Sequence, residues 1–200
     1  MSDLYQRSGD VTRAHRLRDD ANDLRRRFNR DYWVEEKACY ALALQDGGQP
    51  AAVVSSNAGH ALWAGIADAD KARRVVERLM SDTMFSGWGV RTLAEDERRY
   101  NPMGYHLGTI WPHDNSLIAA GFRRYGYEEA AMQIFRGLLE AAMHFEGYQL
   151  PELFCGFPRR EYPVPVRYPI ACHPQAWASA SIPYLLQTIL GLEPDALGKF

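Results

Sequence analysis

Two carboxylates stand out because they lie among proline, glycine and aromatic residues and not on a polar helix face. Glu152 lies in the run YQLPELFCG at 148–156, and Asp114 lies in WPHDN at 111–115. Such a setting shifts a carboxyl pKa and excludes bulk water. Cleavage of a sugar linkage needs two carboxyls, one to protonate the leaving oxygen and one to activate water or attack the sugar. The sequence therefore makes glycosidic hydrolysis a candidate chemistry.

Both carboxylates also have structural interpretations. Glu152 could be a loop carboxylate that caps a backbone N–H or pairs with Arg159 or Arg160. Asp114 falls at the second or third position of a predicted helix, where an acidic side chain favours capping and complements the helix dipole. For Asp114 the pattern favours the capping role over direct chemistry.

Three segments share a pattern in which glycine or proline and a histidine lead into a tryptophan and small residues. They occupy 57–65, 105–114 and 172–180, and each opens a predicted helix. In repeated helical hairpins the same end of each inner helix contributes to one surface. We therefore expect the polar and aromatic groups of the three segments to converge.

The histidines of these segments do not indicate a metal site. His106, His113 and His173 match no H-E-x-x-H or similar spacing, and no cysteine accompanies them usefully. Hydrogen bonding to sugar hydroxyls or to a carboxylate is the simpler role. The tryptophans are candidates either for the core or for stacking against a sugar ring: Trp63, Trp88, Trp111 and Trp177.

Cysteine usage argues against several other classes of site. Cys39, Cys155 and Cys172 are an odd number without C-x-x-C spacing, which favours neither zinc nor a disulfide framework. No glycine-rich phosphate loop or G-x-S-x-G motif is present. We therefore expect no metal or cofactor.

Bulk composition predicts one soluble globular domain over residues 1–200. The formal net charge is −2, from 23 basic and 25 acidic side chains, and gives no overall attraction for nucleic acid or anionic lipid. The arginines near the start alternate with aspartates, as on a solvated helix face. We find neither a signal-peptide pattern nor an apolar run of membrane-spanning length. A cytoplasmic protein is expected.

Hydrophobic periodicity predicts a mainly helical chain. A helix with Asp10 as its cap covers 11–28, and two short strands at 33–44 and 51–54 flank a turn at 46–48. A proline-rich segment at 147–172 is predicted to be an ordered loop, because it carries many apolar side chains. The other predicted helices cover 59–66, 68–81, 112–125, 127–145 and 174–190.

Four ordered motifs carry a family resemblance that extends over nearly the whole chain. They are FSGWGVRTL at 85–93, YNPMGYHLGTIWPHDN at 100–115, PELFCG at 151–156 and PQAWA at 174–178. Together they resemble the C-terminal region of bacterial amylo-α-1,6-glucosidase (glycogen debranching enzyme-like) proteins. That family is related to the six-hairpin trehalases, glucoamylases and mannosylglycerate hydrolases.

The resemblance implies a fold, a reaction and a site. The implied fold is an all-α, α/α toroid, here the C-terminal part of an (α/α)6 barrel with a small β-hairpin insertion. The implied reaction is hydrolysis of glucosidic linkages in oligo- or polysaccharides, with inversion and with Glu152 as the general base. Other motif positions are expected to line the sugar-binding cleft: Arg91, His106, Trp111, His113, Asp114, Gln175 and Trp177.

The chain departs from the family pattern in one respect. The family's general acid is an aspartate in the first half of the barrel, and this sequence has helices for only about half of a barrel. The resemblance thus predicts a catalytic fragment that associates with the missing half or with itself. Two alternatives stay open, a noncatalytic carbohydrate-binding or assembly module and a repeat-type protein-interaction scaffold.

Overall fold

The computed structural model describes residues 1–192. The chain is mainly α-helical, as predicted, and carries one two-stranded antiparallel sheet. None of the described helices combines the length and hydropathy that crossing a bilayer requires. The helices are α1 Ser2–Ser8, α2 Val11–Asp31, α3 Asn57–Trp63, α4 Ala69–Leu79, α5 Pro112–Arg124, α6 Glu128–Ala142 and α7 Ala176–Leu190.

Local signals account for several helix boundaries. The Asp10 side chain accepts a hydrogen bond from the Arg13 N–H and so caps α2, as the sequence predicts. Pro112 occupies the first turn of α5, where its missing N–H costs nothing. The predicted apolar face of α4 is buried: Ala72, Val75, Val76 and Leu79.

Three helices form the inner layer of the fold. Helix α5 packs against both α3 and α7, while α4 and α6 follow α3 and α5 in the chain and pack against them. The α3–α5 contact is close because Gly121 has no side chain, since a Cβ there would lie 2.6 Å from the backbone nitrogen of Trp63. A Cβ on Gly59 would likewise meet the side chain of Ile118 at 2.7 Å.

The β structure is smaller than predicted, and its hairpin is formed within the first predicted strand alone. Its paired strands are β1, Trp33–Val34, and β2, Cys39–Tyr40, both within the first predicted strand. The second predicted strand at 51–54 is not a strand. The predicted turn at 46–48 does exist as a short 3₁₀ helix closed by a bridge between Leu44 and Pro50. Glycines at 47 and 48 with positive φ favour this compact turn over an extended hairpin.

The long segment before α7 is built into the fold through its backbone. Phe154 bridges to Ile110 on one side and to Arg167 on the other. Leu150 and Phe154 are buried, whereas Ile170 is 80% exposed. Burial of apolar side chains therefore accounts for the order of only part of this segment. These backbone bridges hold the Glu152 segment beside the start of α5.

Candidate active site

A cavity of about 940 Å³ lies at the N-terminal ends of the inner helices. Its wall includes Asn57 and His60 from α3, Asp114 from the start of α5, and Trp177 from α7. The three segments with the shared histidine and tryptophan pattern thus contribute to one surface, as predicted. The remaining lining residues are Leu42, Val53, Ser55, Ser56, Thr92, Leu93, Glu97, Arg98, Arg99, Tyr105, His106, Leu107, Trp111, His113 and Glu152.

Glu152 is held in this cavity by side-chain and backbone hydrogen bonds. The Tyr105 hydroxyl donates to Oε1 at 2.7 Å, and the Cys172 N–H donates to Oε2 at 3.3 Å. The Glu152 N–H in turn donates to the Cys172 carbonyl at 2.9 Å. Both carboxylate oxygens therefore have a donor, and the residue as a whole is only 8% exposed.

The balance of forces on Glu152 favours its ionised form. Burial by itself raises the pKa of this carboxyl, but hydrogen bonds from Tyr105, the Cys172 N–H and Gln175 outweigh it and lower the pKa below its usual value. The same contact, together with burial, raises the pKa of Tyr105 to about 12. Tyr105 therefore remains a donor at neutral pH, and Glu152 remains a carboxylate able to accept a proton.

Stacked rings form another part of the cavity wall. His106 stacks on Trp111 with ring centroids 4.8 Å apart, and His113 stacks on Trp177 at 4.0 Å. Tyr105 packs edge-on against Trp111 at 4.9 Å, which places the partner of Glu152 against this wall. Trp177 is 49% exposed, so one of its faces is free to meet a ligand.

Asp114 does not cap its helix. Its Oδ1 lies 2.6 Å from His60 Nε2 across the α3–α5 contact, and its Oδ2 is buried with no hydrogen-bond partner among the described residues. The hydrogen bond with Asp114 raises the pKa of His60, against the opposing effect of burial. The capping part of the structural interpretation is therefore wrong, whereas Asp114 does lie in the first turn of α5, where an acidic side chain complements the helix dipole.

Unsatisfied polar atoms concentrate around this cavity. Within residues 1–192, the buried side-chain atoms without a partner are His113 Nδ1, Asp114 Oδ2, Gln175 Oε1 and Trp88 Nε1. His113 and Asp114 line the cavity. Gln175, which was predicted to line it, is not among the lining residues but helps to lower the pKa of the cavity residue Glu152. Leaving such atoms unpaired is costly, and ligand-binding sites are where proteins tolerate it.

Arg91 does not line the cavity, contrary to the prediction. Its guanidinium is fully buried, donating to the Gly156 carbonyl at 2.7 Å and the Asp82 carbonyl at 3.1 Å, and pairing with Glu95 at 2.8 Å. The guanidinium is therefore engaged by three acceptors within the protein. Arg91 therefore anchors the loop that carries Glu152 instead of facing a sugar.

Three other residues singled out from the sequence do not line the cavity. Trp63 is half-exposed in a second pocket with Arg123 and Arg124, and Trp88 is buried in the core. His173 is exposed and contacts the Gln149 carbonyl at 2.8 Å.

The proposed partners of Glu152 also lie elsewhere. Arg159 pairs with Glu140, and Arg160 pairs with Glu161. The ion-pair alternative for Glu152 is therefore wrong. The other structural alternative, a loop carboxylate that accepts from a backbone N–H, is present in the bond from the Cys172 N–H. Residues 1–192 contain no group of three His, Cys, Asp or Glu side chains placed to hold a metal ion.

Two residues of the site were not singled out from the sequence. His60 lies in the first of the three shared segments, so the recurrence of that pattern could have identified it. Tyr105 directly precedes His106, but the sequence does not show that it reaches Glu152, which is 47 residues away.

Solved structures share this fold. The GH63 mannosylglycerate hydrolase from Thermus thermophilus in complex with glucose is 20% identical, with a TM-score of 0.61 over 79% of this chain and 35% of that chain. The neutral trehalase from Saccharomyces cerevisiae is 17% identical, with a TM-score of 0.66 over 88% and 31%. A structure named sialidase is also 17% identical, with a TM-score of 0.66 over 78% and 16%.

These likenesses confirm the predicted α/α architecture. The chain spans about a third or less of the length of these three proteins. No curated protein matches the sequence. Residues 2–155 match the family described as mannosylglycerate hydrolase MGH1-like glycoside hydrolase domain. With that match covering most of its length, the chain belongs to this family of six-hairpin glycosidases.

Proposed function

We propose that this chain provides the general base and the sugar-binding cleft of a glycosidase that cleaves glucosidic linkages with inversion. In this proposal Glu152 removes a proton from a water molecule while the water oxygen attacks the anomeric carbon. The leaving group departs from the opposite face of the sugar. The substrates are oligo- or polysaccharides of the amylo-α-1,6-glucosidase class.

One observation carries the proposal. Glu152 is a buried carboxylate inside a large cavity, and its hydrogen bonds with Tyr105 and the Cys172 N–H favour the charged form. A general base must be ionised before it accepts a proton, and burial excludes competing bulk water. Because Glu152 lines a cavity of about 940 Å³, a substrate and a water molecule have room beside its carboxylate.

The cavity wall supports a sugar as the ligand. Flat rings such as Trp111 and Trp177 pack against the apolar faces of pyranoses. The unsatisfied atoms of His113 and Asp114 match the hydroxyl groups at a sugar's edge. The cavity thus offers both kinds of contact that a pyranose makes.

We place the general acid, which the resemblance assigns to the first half of the barrel, in helices that complete the toroid. Helix α7 presents an exposed apolar surface with Leu186 at 44% and Leu190 at 67% exposure. Apolar surface of this kind is typical of a protein contact. The complementing half of the toroid is the partner we propose for it.

Glucosyl fluoride separates a base-only catalyst from a noncatalytic sugar-binding module. Fluoride leaves without the strong protonation that a sugar leaving group needs, so a site with only its base can hydrolyse this substrate. The C1–F bond breaks with its electron pair on fluoride, the water oxygen bonds to C1, and the water proton passes to Glu152. We expect the chain to release fluoride from α-D-glucosyl fluoride, measured with a fluoride electrode.

The stereochemistry gives a second readout of the same experiment. Proton NMR should show β-glucose as the first product, because water attacks the face opposite fluoride. α-Glucose as the first product would contradict inversion. Binding of glucose without any fluoride release above the buffer rate would instead favour the noncatalytic module.

Tyr105→Phe tests the electrostatic control of Glu152. Removing the hydroxyl donor removes a force that lowers the pKa of Glu152, so this pKa rises. The base is active when ionised, so the acid limb of the pH–rate profile for fluoride release should move to higher pH. Tyr148→Phe, at a 68% exposed tyrosine, is the matched control and should leave the profile unchanged. An unshifted acid limb in Tyr105→Phe would show that Glu152 is not the titrating base.

A further inference from the structure

His60 makes a contact in the cavity that the hydrolytic chemistry of Glu152 does not use. It lies on α3, and its Nε2 is 2.6 Å from Asp114 Oδ1 on α5. Both residues line the cavity. Since a carboxylate only accepts hydrogen bonds, His60 is the donor.

The contact with His60 uses only one oxygen of the Asp114 carboxylate and leaves the other, Oδ2, without a hydrogen-bond donor in the described part of the chain. Oδ2 is buried and has no donor among the described residues, while the whole residue is 7% exposed. A buried carboxylate oxygen without a donor is costly and is satisfied by a ligand that brings an O–H or N–H group. The adjacent His113 Nδ1 is buried and unpaired as well, so two consecutive residues that line the cavity each carry an unsatisfied polar atom.

The His60–Asp114 contact is not needed to join α3 to α5. Those helices already meet at backbone distance, because Gly121 lies against Trp63 and Gly59 lies against Ile118. The contact is also on the cavity side, where the His60 side chain is 39% exposed. A bond in this place fixes the orientation of a carboxylate that belongs to the cavity wall.

We propose that His60 is a specificity-determining positioning residue, which holds Asp114 by Oδ1 so that Oδ2 accepts a hydrogen bond from one particular sugar hydroxyl. The inference rests on the proposed sugar-binding function and adds to it. A site built this way selects sugars with a free hydroxyl at that position and rejects analogues that lack it, because the carboxylate oxygen would then stay buried and unpaired.

Binding of glucose and its four monodeoxy analogues, lacking the hydroxyl at C2, C3, C4 or C6, tests this. The probe is the intrinsic fluorescence of the chain, since Trp111 and Trp177 line the cavity. We expect one analogue to bind about ten-fold or more weakly than glucose. In His60→Ala this ratio should collapse to about two-fold or less, while His60→Gln, which keeps an N–H near the Nε2 position, should restore most of it.

A double-variant cycle shows whether His60 acts through Asp114. In an Asp114→Asn background, His60→Ala should cause no further loss of discrimination. His15→Ala, at an exposed histidine on α2, is the matched control and should keep the wild-type ratio. Thermal unfolding of each variant identifies any that fails to fold, and Asp114→Asn alone then serves as the test, since it too should abolish discrimination.

The outcomes separate this inference from the function on which it rests. Glucose binding with equal affinity for all analogues, or a ratio unchanged in folded His60→Ala, would overturn the role of His60 and leave the sugar site intact. Absence of glucose binding by the wild-type chain would overturn the sugar site itself.

Discussion

Glu152→Gln is expected to reduce fluoride release from α-D-glucosyl fluoride by about a hundred-fold to ten-thousand-fold, the usual contribution of a general base. Glutamine keeps the size of the side chain and an oxygen that accepts from Tyr105, whose hydroxyl is 2.7 Å from Oε1. It cannot take a proton from water. The chemical step should therefore fail while the shape of the cavity persists.

Sugar binding should be nearly unaffected by the same change. Tryptophan fluorescence should report a dissociation constant for glucose within about three-fold of the wild type. The reason is that ground-state binding of the sugar does not require a group that accepts a proton. Glu161→Gln, at an exposed glutamate in the same long segment, is the matched control and should retain full activity. Fluoride release by Glu152→Gln at the wild-type rate would refute the base assignment.

Arg91→Met is expected to lower the free energy of unfolding by about 3–5 kcal/mol, the range for breaking a buried ion pair. The Arg91 side chain is 1% exposed, and its loss removes the donor of the Asp82 carbonyl. Among the described residues, Glu95 and the Gly156 carbonyl would keep only the long 3.4 Å contacts with the Tyr100 hydroxyl. Methionine fills much of the volume but donates no hydrogen bond. Urea denaturation measures the change.

Arg91→Lys should also be damaging, because lysine cannot reproduce the spread of guanidinium donors across three partners. Arg73→Met is the matched control, since Arg73 pairs with Glu77 at the surface and both side chains are more than half exposed. That control should change the unfolding free energy by about 1 kcal/mol or less. If Arg91→Met were as stable as the wild type but bound glucose more weakly, Arg91 would have to be assigned to sugar binding and not to the support of the loop.

The Arg91 result illustrates where sequence reasoning failed. A motif position shows that a residue type is required but not whether it faces the ligand or supports the loop behind it. Arg91 meets Gly156 across 65 positions in the chain. A Cβ on Gly156 would lie only 1.7 Å from the Gly108 carbonyl oxygen, and that close backbone packing is what brings the loop within reach of Arg91.

The sequence by itself predicted six of the seven described helices, all but α1, and singled out the Glu152 carboxylate, to which the family resemblance assigns the base role. The period of apolar residues reports locally which face of α4 is buried, and Asp10 and Pro112 mark helix starts through interactions within one turn. The unusual setting of Glu152 among proline and aromatic residues is likewise visible in a few consecutive positions.

Only the tertiary structure decided what these residues contact. Tyr105 reaches Glu152 across 47 positions, and His60 reaches Asp114 across 54. Both contacts depend on how closely the helices pack and on the bridges that hold the loop at Phe154. Small residues such as Gly121 permit the close helix packing, but the local sequence does not specify it. The protonation state of Glu152 and the free oxygen of Asp114 follow from that long-range packing, because a carboxyl pKa responds to neighbours in space and not in sequence.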